Sequence, residues 1–169
     1  FIEGINTSSE NLLAIINDIL DISKIEEGQM TFEETALNLE QILQSIKIIV
    51  QEKVKSKKLK FTIKLDSTIP MNLYGDQVKL AQIILNLVSN AVKFTENGGI
   101  AIEVSLIKKD NRNATLLVKV SDTGIGISKE NQTSVFERFR QENNDTTRLY
   151  GGAGLGLSIT KKLVELQGG

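Results

Sequence analysis

The chain has 169 residues, 40% of them hydrophobic and 24% charged, with a formal net charge of −1; this is room for one ordinary domain and an appendage, and the charge balance excludes a general polyanion binder such as a nucleic-acid coat. It contains no Cys and no His, which removes disulfides, zinc-thiolate sites, thiol catalysis and the commonest acid-base side chain. Only 5% of residues are aromatic, so the core rests on Ile, Leu and Val, and no apolar run reaches the roughly 20 residues that span a bilayer.

Residues 1–10 carry no basic segment followed by an apolar block, so they do not read as a signal peptide. Ile5, Leu12, Ile16, Ile19 and Leu20 recur at helical spacing among polar Asn11, Asn17 and Lys24. This predicts an amphipathic helix over residues 2–27, stopped near Gly28. At 1.5 Å per residue it is roughly 39 Å long. Its stripe needs a partner, either in a helical bundle or coiled coil or on its own domain. A second helix is expected over 39–57, with Ile42, Leu43, Ile46, Ile49, Val50 and Val54 on its buried side. The basic run Lys53, Lys55, Lys57, Lys58 and Lys60 reads as a solvated helix end whose charges suit the macrodipole, in preference to a phosphate or membrane patch. Phe61, Ile63 and Leu65 alternate with polar residues as a strand does, and Pro70 ends that unit. Asp76 is placed to cap a third helix over 77–94. Asn97-Gly98-Gly99 is a turn. Two strands follow, over 100–106 and 116–120, joined by a polar hairpin loop at 108–113. Ser128 opens a short helix to about Phe136, residues 140–152 have no period and form a loop, and a last helix runs from near Gly154 to Gln167. The fold class is α+β, with helices against an antiparallel or mixed sheet.

Three segments carry chemistry. On the third helix, Leu80, Ile84, Leu87, Val88 and Ala91 form an apolar stripe, opposite Lys79, Gln82, Asn86, Asn90 and Lys93. Asn is a poor interior helix residue, so two of them four apart on one face suggest a reason beyond propensity. Amide oxygens ligate hard cations and Lys neutralises phosphate; an ordinary polar face is the alternative. Next, Ser121-Asp122-Thr123-Gly124-Ile125-Gly126-Ile127 follows a strand directly. A buried carboxylate there can accept a hydrogen bond from the exocyclic amine of adenine, where guanine offers an acceptor oxygen; a tight turn with an Asx cap explains the same residues. Last, Gly151-Gly152-Ala153-Gly154-Leu155-Gly156-Leu157-Ser158 runs into the final helix. Its glycines expose backbone N–H groups at a helix N-terminus, an anion cradle. No Gly-Lys-Ser/Thr follows, so it is not a Walker loop.

The three segments together closely resemble the sensor histidine kinases, of hybrid type, in the superfamily that also holds DNA gyrase, the mismatch-repair ATPases and the heat-shock chaperone ATPases. Leu85 to Thr95 matches the family's asparagine box and Asp122 to Ile127 its first glycine box. Phe136-Glu137-Arg138-Phe139 matches the phenylalanine box, and Gly152 to Leu157 the second glycine box. Leu13 to Glu26 resembles the second helix of the family's dimerisation hairpin. The resemblance implies a two-layer α/β sandwich of the Bergerat type preceded by a long N-terminal helix. Residues 1–30 would be the second, incomplete half of the dimerisation hairpin, and 31–169 a C-terminally truncated catalytic ATP-binding domain.

Carried over by residue, the resemblance implies that Asn90 coordinates magnesium and Asn86 lies beside the phosphates, with Lys93 and Phe94 contacting the nucleotide. Asp122 binds the adenine amine, and Gly124, Gly126 and Ile127 shape the base pocket. Arg138 and Arg148 reach phosphates from a mobile lid at 140–151, and the backbone of Gly152, Ala153, Gly154, Leu155, Gly156 and Leu157 holds the phosphate chain. Hydrolysing members of the superfamily carry a water-activating glutamate where Asn86 stands. An amide cannot act as that base at neutral pH, so slow intrinsic hydrolysis is expected. The implied cofactors are ATP and Mg2+. The implied partners are a histidine-bearing dimerisation helix of the same kinase and a response-regulator receiver domain, with a homodimeric parent and no nucleic acid. The implied site of action is cytoplasmic, whether or not the parent is anchored in the inner membrane. Ala153 stands where the family often has Thr. With no His, this chain cannot phosphorylate itself on histidine. The alternatives are an ATP-sensing regulatory module without phosphotransfer, and a hydrolysing ATPase of the gyrase or chaperone type, which Asn86 and the short lid argue against.

Overall fold

The first helix, α1 (Ile2–Glu26), is followed by β1 (Thr35–Leu37), α2 (Leu39–Ser56), β2 (Lys60–Leu65), β3 (Leu73–Gly75), α3 (Gln77–Phe94), β4 (Gly99–Lys109), β5 (Ala114–Asp122), a 3-10 turn (Ser134–Phe136) and α4 (Gly156–Leu166). These come from a computed structural model that describes residues 2–137 and 154–169. The chain divides into two compact units: Phe32–Ile127, and Phe1–Thr31 with Ser128–Gly169. Among the described residues, no helix is long and apolar enough to cross a membrane.

In the unit Phe32–Ile127, β2, β4 and β5 form a mixed sheet in that order. β2 runs parallel to β4 from Lys60↔Gly99 to Leu65↔Val104, and β4 runs antiparallel to β5 from Ile100↔Asp122 to Lys109↔Ala114. Along β4, Ile100, Ile102 and Val104 are buried while their neighbours are not, the two-residue period of a one-sided sheet. That inward row meets Leu43, Ile46 and Val50 of α2 and Ile84, Val88 and Ala91 of α3 in one apolar cluster. Helices on one face of the sheet make the two-layer α+β architecture expected from the sequence.

Local caps fix where the helices begin. Asn38 accepts from the Gln41 N–H at 2.9 Å to start α2. Asp76 starts α3, with Oδ1 accepting from the Lys79 N–H at 2.8 Å and Oδ2 from the Glu33 N–H at 3.1 Å. One carboxylate therefore ties the helix start to the segment that enters β1. The β1–β3 pair, antiparallel from Thr35↔Gly75 to Leu37↔Leu73, was not expected, because three-residue strands carry no usable period. Asp66 closes β2. Its carboxylate accepts from the Thr68 N–H (2.9 Å), the Thr68 hydroxyl (2.7 Å) and the Leu106 N–H (3.2 Å), beside the irregularity in β4 between Leu106 and Lys108.

In the other unit, α4 lies against α1 and against the 3-10 turn. On α1, Leu12, Leu13, Ile16, Ile19 and Leu20 remain exposed, so most of its apolar stripe is not covered by α4. Three expectations are corrected: Ile49, expected on the buried side of α2, is exposed. The hairpin loop spans 110–113, since β4 continues to Lys109 and β5 starts at Ala114. The helix expected from Ser128 to Phe136 is a series of turns ending in one 3-10 turn. Its Asn, Thr and Ser side chains compete for backbone bonds, as the Ser134 hydroxyl does in donating to the Asn131 carbonyl at 3.2 Å.

Ile84→Ala removes a fully buried side chain from the cluster and is expected to cost about 2–5 kcal/mol in urea unfolding with the slope unchanged. The hydrogen bonds from Thr68 and Leu106 hold the Asp66 carboxyl below its usual 3.8. Its stabilising contribution is then present above the ordinary carboxylate pKa and lost as pH falls through the lowered folded value. Urea midpoints from pH 7 to 2 should show a smaller acid loss for Asp66→Asn than for the wild type; equal losses would refute the assignment.

Candidate functional site

The polar face predicted on α3 is present and is not an ordinary solvent face. Lys79, Gln82, Asn86, Asn90 and Lys93 are all half-buried. Lys79 Nζ donates to Gln82 Oε1 at 3.2 Å. Asn90 makes no side-chain hydrogen bond among the described residues. Desolvation pushes the Lys93 ammonium below the usual lysine range, and its Nζ sits 4.8 Å from the centroid of the Phe94 ring, a cation–π distance. A lysine whose charged form is disfavoured gains from an anion more than an exposed one does.

The C-terminal end of α3 meets the loop after β5. Ile125 N–H donates to the Phe94 carbonyl at 3.4 Å. A Cβ on Gly124 would stand 2.5 Å from that same oxygen and 2.9 Å from Asp122 Oδ1, so only glycine lets the two segments come this close. Asp122 Oδ1 accepts from the Gly124 N–H at 2.8 Å, an Asx turn. Its Oδ2 has no hydrogen-bond partner among the described residues. The carboxylate is exposed at the very end of β5, which corrects the expectation that it is buried. Gly126 has φ +70, and it separates two exposed apolar side chains, Ile125 (73%) and Ile127 (46%).

A lock that the sequence reading missed holds this loop. The Thr123 hydroxyl donates to the Asn97 carbonyl at 2.9 Å and accepts from the Gly99 N–H at 3.0 Å. Gly98, at φ +102, passes too close to that hydroxyl to carry a Cβ. The available signal was a Thr within the Asp-x-Gly motif and a two-glycine turn, and nothing in the sequence joined them.

The unit Phe32–Ile127 thus holds Asn86, Asn90, Lys93, Phe94, Asp122, Gly124, Gly126 and Ile127 together. Gly154, Leu155, Gly156 and Leu157 belong to the other unit. There α4 starts at Gly156, and its N-cap residue Leu155 gives no side-chain cap to the first-turn N–H groups. Arg138, Arg148, Gly152, Ala153 and the lid expected at 140–151 lie outside the described residues. No cluster of three or more carboxylates, His or Cys occurs among the described residues. A dedicated carboxylate cage is therefore not what these residues offer a metal. An amide such as Asn90 suits a magnesium ion held mainly by phosphates and water.

A sequence family described as histidine kinase-, DNA gyrase B- and HSP90-like ATPase matches residues 75–169. The chain is 44% identical over 165 residues to the signal transduction histidine-protein kinase BarA of Escherichia coli (strain K12), covering 98% of this chain and 18% of BarA. It is 40% identical over 169 residues to the sensor protein GacS of Pseudomonas syringae pv. syringae, covering 100% of this chain and 19% of GacS. Among solved structures it is similar to full-length ShkA in complex with AMPPNP, with a TM-score of 0.79 and 28% identity, covering 99% of this chain and 33% of that one. The chain spans about a fifth of the length of these curated relatives.

The close approach at Gly124 and the open surroundings of Gly126 make a paired prediction. Gly124→Ala should cost about 1–3 kcal/mol and shift the backbone amide resonances of Phe94 and Ile125. Gly126→Ala meets only the positive φ and should cost about 1 kcal/mol with those resonances nearly in place. Thermal midpoints and amide spectra check both.

Proposed function

The chain belongs to the family of histidine kinase-, DNA gyrase B- and HSP90-like ATPases, and from that premise we propose that it is the ATP-binding part of a two-component sensor histidine kinase. Its role is to hold ATP with Mg2+ and present the γ-phosphate to a histidine that this chain does not contain. In the transfer, the bond from the γ-phosphorus to the bridging oxygen breaks, a phosphorus–nitrogen bond to the imidazole forms, and ADP leaves. Asp122 accepts from the adenine amine, while Gly124, Gly126 and Ile127 shape the base pocket. Asn90 holds magnesium. Asn86 lies beside the phosphates, Lys93 and Phe94 contact the nucleotide, and the glycine-rich run Gly152 to Leu157 with Arg138 and Arg148 takes the phosphate chain. Residues 1–30 act as half of a dimerisation hairpin and 31–169 as the catalytic domain. The partners are the histidine-bearing helix of the same kinase, a receiver domain and a second protomer, at a cytoplasmic site.

One observation carries the reading. Every carbonyl at the end of α3 has a partner, while the half-buried Asn90 amide and one Asp122 oxygen have none among the described residues. Solvent-accessible polar groups beside a fully satisfied backbone can take a ligand without breaking a protein hydrogen bond, which supports a ligand site here. The exposed stripe of α1 supports a helical partner for that element. Position 86 favours transfer over hydrolysis, because an amide is no general base at neutral pH.

Calorimetric titration with ATP, GTP and a non-hydrolysable analogue, with and without magnesium, tests the reading. ATP is expected to bind with magnesium, and GTP at least about tenfold more weakly. Asp122→Ala should weaken ATP by about 10–100-fold, and Asn90→Ala should remove most of the magnesium dependence. Supplied with a histidine-bearing hairpin and labelled ATP, the chain should yield acid-labile phosphate on the hairpin; tight ATP binding without transfer would favour the sensing module. Equal affinity for GTP, or brisk hydrolysis lost in Asn90→Ala, would overturn the assignment.

A further inference from the structure

We propose that Lys57 is a positioning residue of the nucleotide site, fixing the last turn of α3 in the shape the Asp122 loop requires; this rests on the reading that the site takes ATP. Lys57 belongs to the basic run that reads in sequence as a solvated helix end. In the structure its side chain is only 25% exposed. Its Nζ donates to the carbonyls of Lys93 (3.0 Å), Val92 (3.1 Å) and Thr95 (3.2 Å) and pairs with Glu96 Oε1 at 2.9 Å. An ammonium has three N–H donors, so these four acceptors share them.

An α-helix leaves its last four carbonyls without an intrahelical partner. On α3 these are the carbonyls of Ala91, Val92, Lys93 and Phe94. The Ala91 carbonyl accepts from the Thr95 N–H at 3.1 Å, and the Phe94 carbonyl accepts from the Ile125 N–H. The middle two are taken by Lys57. The helix end is thus divided between a lysine from α2 and the loop that carries Asp122. The direction of the Phe94 carbonyl, which the Gly124 approach depends on, is set by carbonyls on both sides of it that Lys57 holds.

A second observation marks Lys57 as fixed in place. Directly after it the chain makes a tight helix-terminating turn, with the Lys57 N–H donating to the Lys53 carbonyl, Lys58 N–H to Lys55, and Leu59 N–H to Val54. Lys58 takes φ +54, a left-handed conformation usually left to glycine and costly for other residues. The strained turn ends α2 so that Lys57 faces the end of α3, and Leu59 is buried in the same core.

Lys57→Met keeps the stem and deletes the ammonium. The expected result is about a tenfold loss of ATP–magnesium affinity, the scale of one misplaced hydrogen bond to the ligand. Amide resonances of Phe94, Thr95, Gly124 and Ile125 should move at a temperature where the variant is fully folded. Lys57→Arg should recover most of the affinity. Val54→Ala, which loosens α2 in the core without touching those carbonyls, should lower the thermal midpoint with affinity within about twofold. Wild-type affinity in Lys57→Met, or an equal loss in Val54→Ala, would make Lys57 merely structural and overturn the proposal. If Lys57→Met does not fold, Lys57→Gln, with two donors on a shorter stem, should lose about threefold and is read the same way. Failure of the wild-type chain to bind ATP would instead bring down the nucleotide reading itself.

Discussion

A helix end is a place where four carbonyls must find partners outside the helix, and the unit Phe32–Ile127 is organised around that need at the end of α3. Thr95 takes one by continuing the chain, Lys57 takes two, and the loop after β5 takes the fourth. The last of these bonds is also what brings Asp122 to α3. Because the loop must reach a helix carbonyl, position 124 has to be glycine, and the turn at Asn97 to Gly99 has to lie under the Thr123 hydroxyl. The site thus inherits its geometry from a backbone requirement.

The strength of this arrangement comes from its position at the edge of a well-packed core. Ile84 and Val88, fully buried on α3, face Ile102 and Val104 on β4, and β4 is the strand on which β5 is registered. Helix and loop are therefore held by one apolar cluster on one side and by main-chain bonds on the other. Asp76 fixes the opposite end of α3 with two hydrogen bonds from different segments. With both ends anchored, the half-buried face from Lys79 to Lys93 has little freedom to relax, which is what preorganised recognition of a ligand demands.

What could be read from the sequence, and what could not, follows the range of the interactions. The α3 stripe, the cap at Asp76, the alternation in β4 and the strand-end position of Asp122 depend on neighbours within a few residues, and they were legible. β1 and β3 were not, because neither is long enough to show a period and each exists through the other. Lys57 was read as one more solvated lysine, since its 35-residue reach to Val92 leaves no trace in the local pattern. The Thr123 lock, across 24 and 26 positions, was hidden for the same reason. The glycines after Asp122 were recognised as permissive; that Gly124 is required by one helix carbonyl is a tertiary fact.

The remaining polar groups show a division of labour between stability and binding. Lys93 is held where burial disfavours its charge, so the ammonium is a cost to the folded chain below its lowered pKa and that cost is relieved as pH rises through it. Lys57, with the same side chain reaching the same helix end from α2, is surrounded by oxygen acceptors. One lysine completes the fold and the other is held where burial works against its charge, on the same helix as Asn90, which makes no side-chain hydrogen bond among the described residues. Sites that bind highly charged ligands commonly retain such imbalances, because an anion that removes them binds the more tightly for it. The contrast between two lysines at one helix terminus is therefore one between a charge satisfied by backbone oxygens and a charge that burial disfavours.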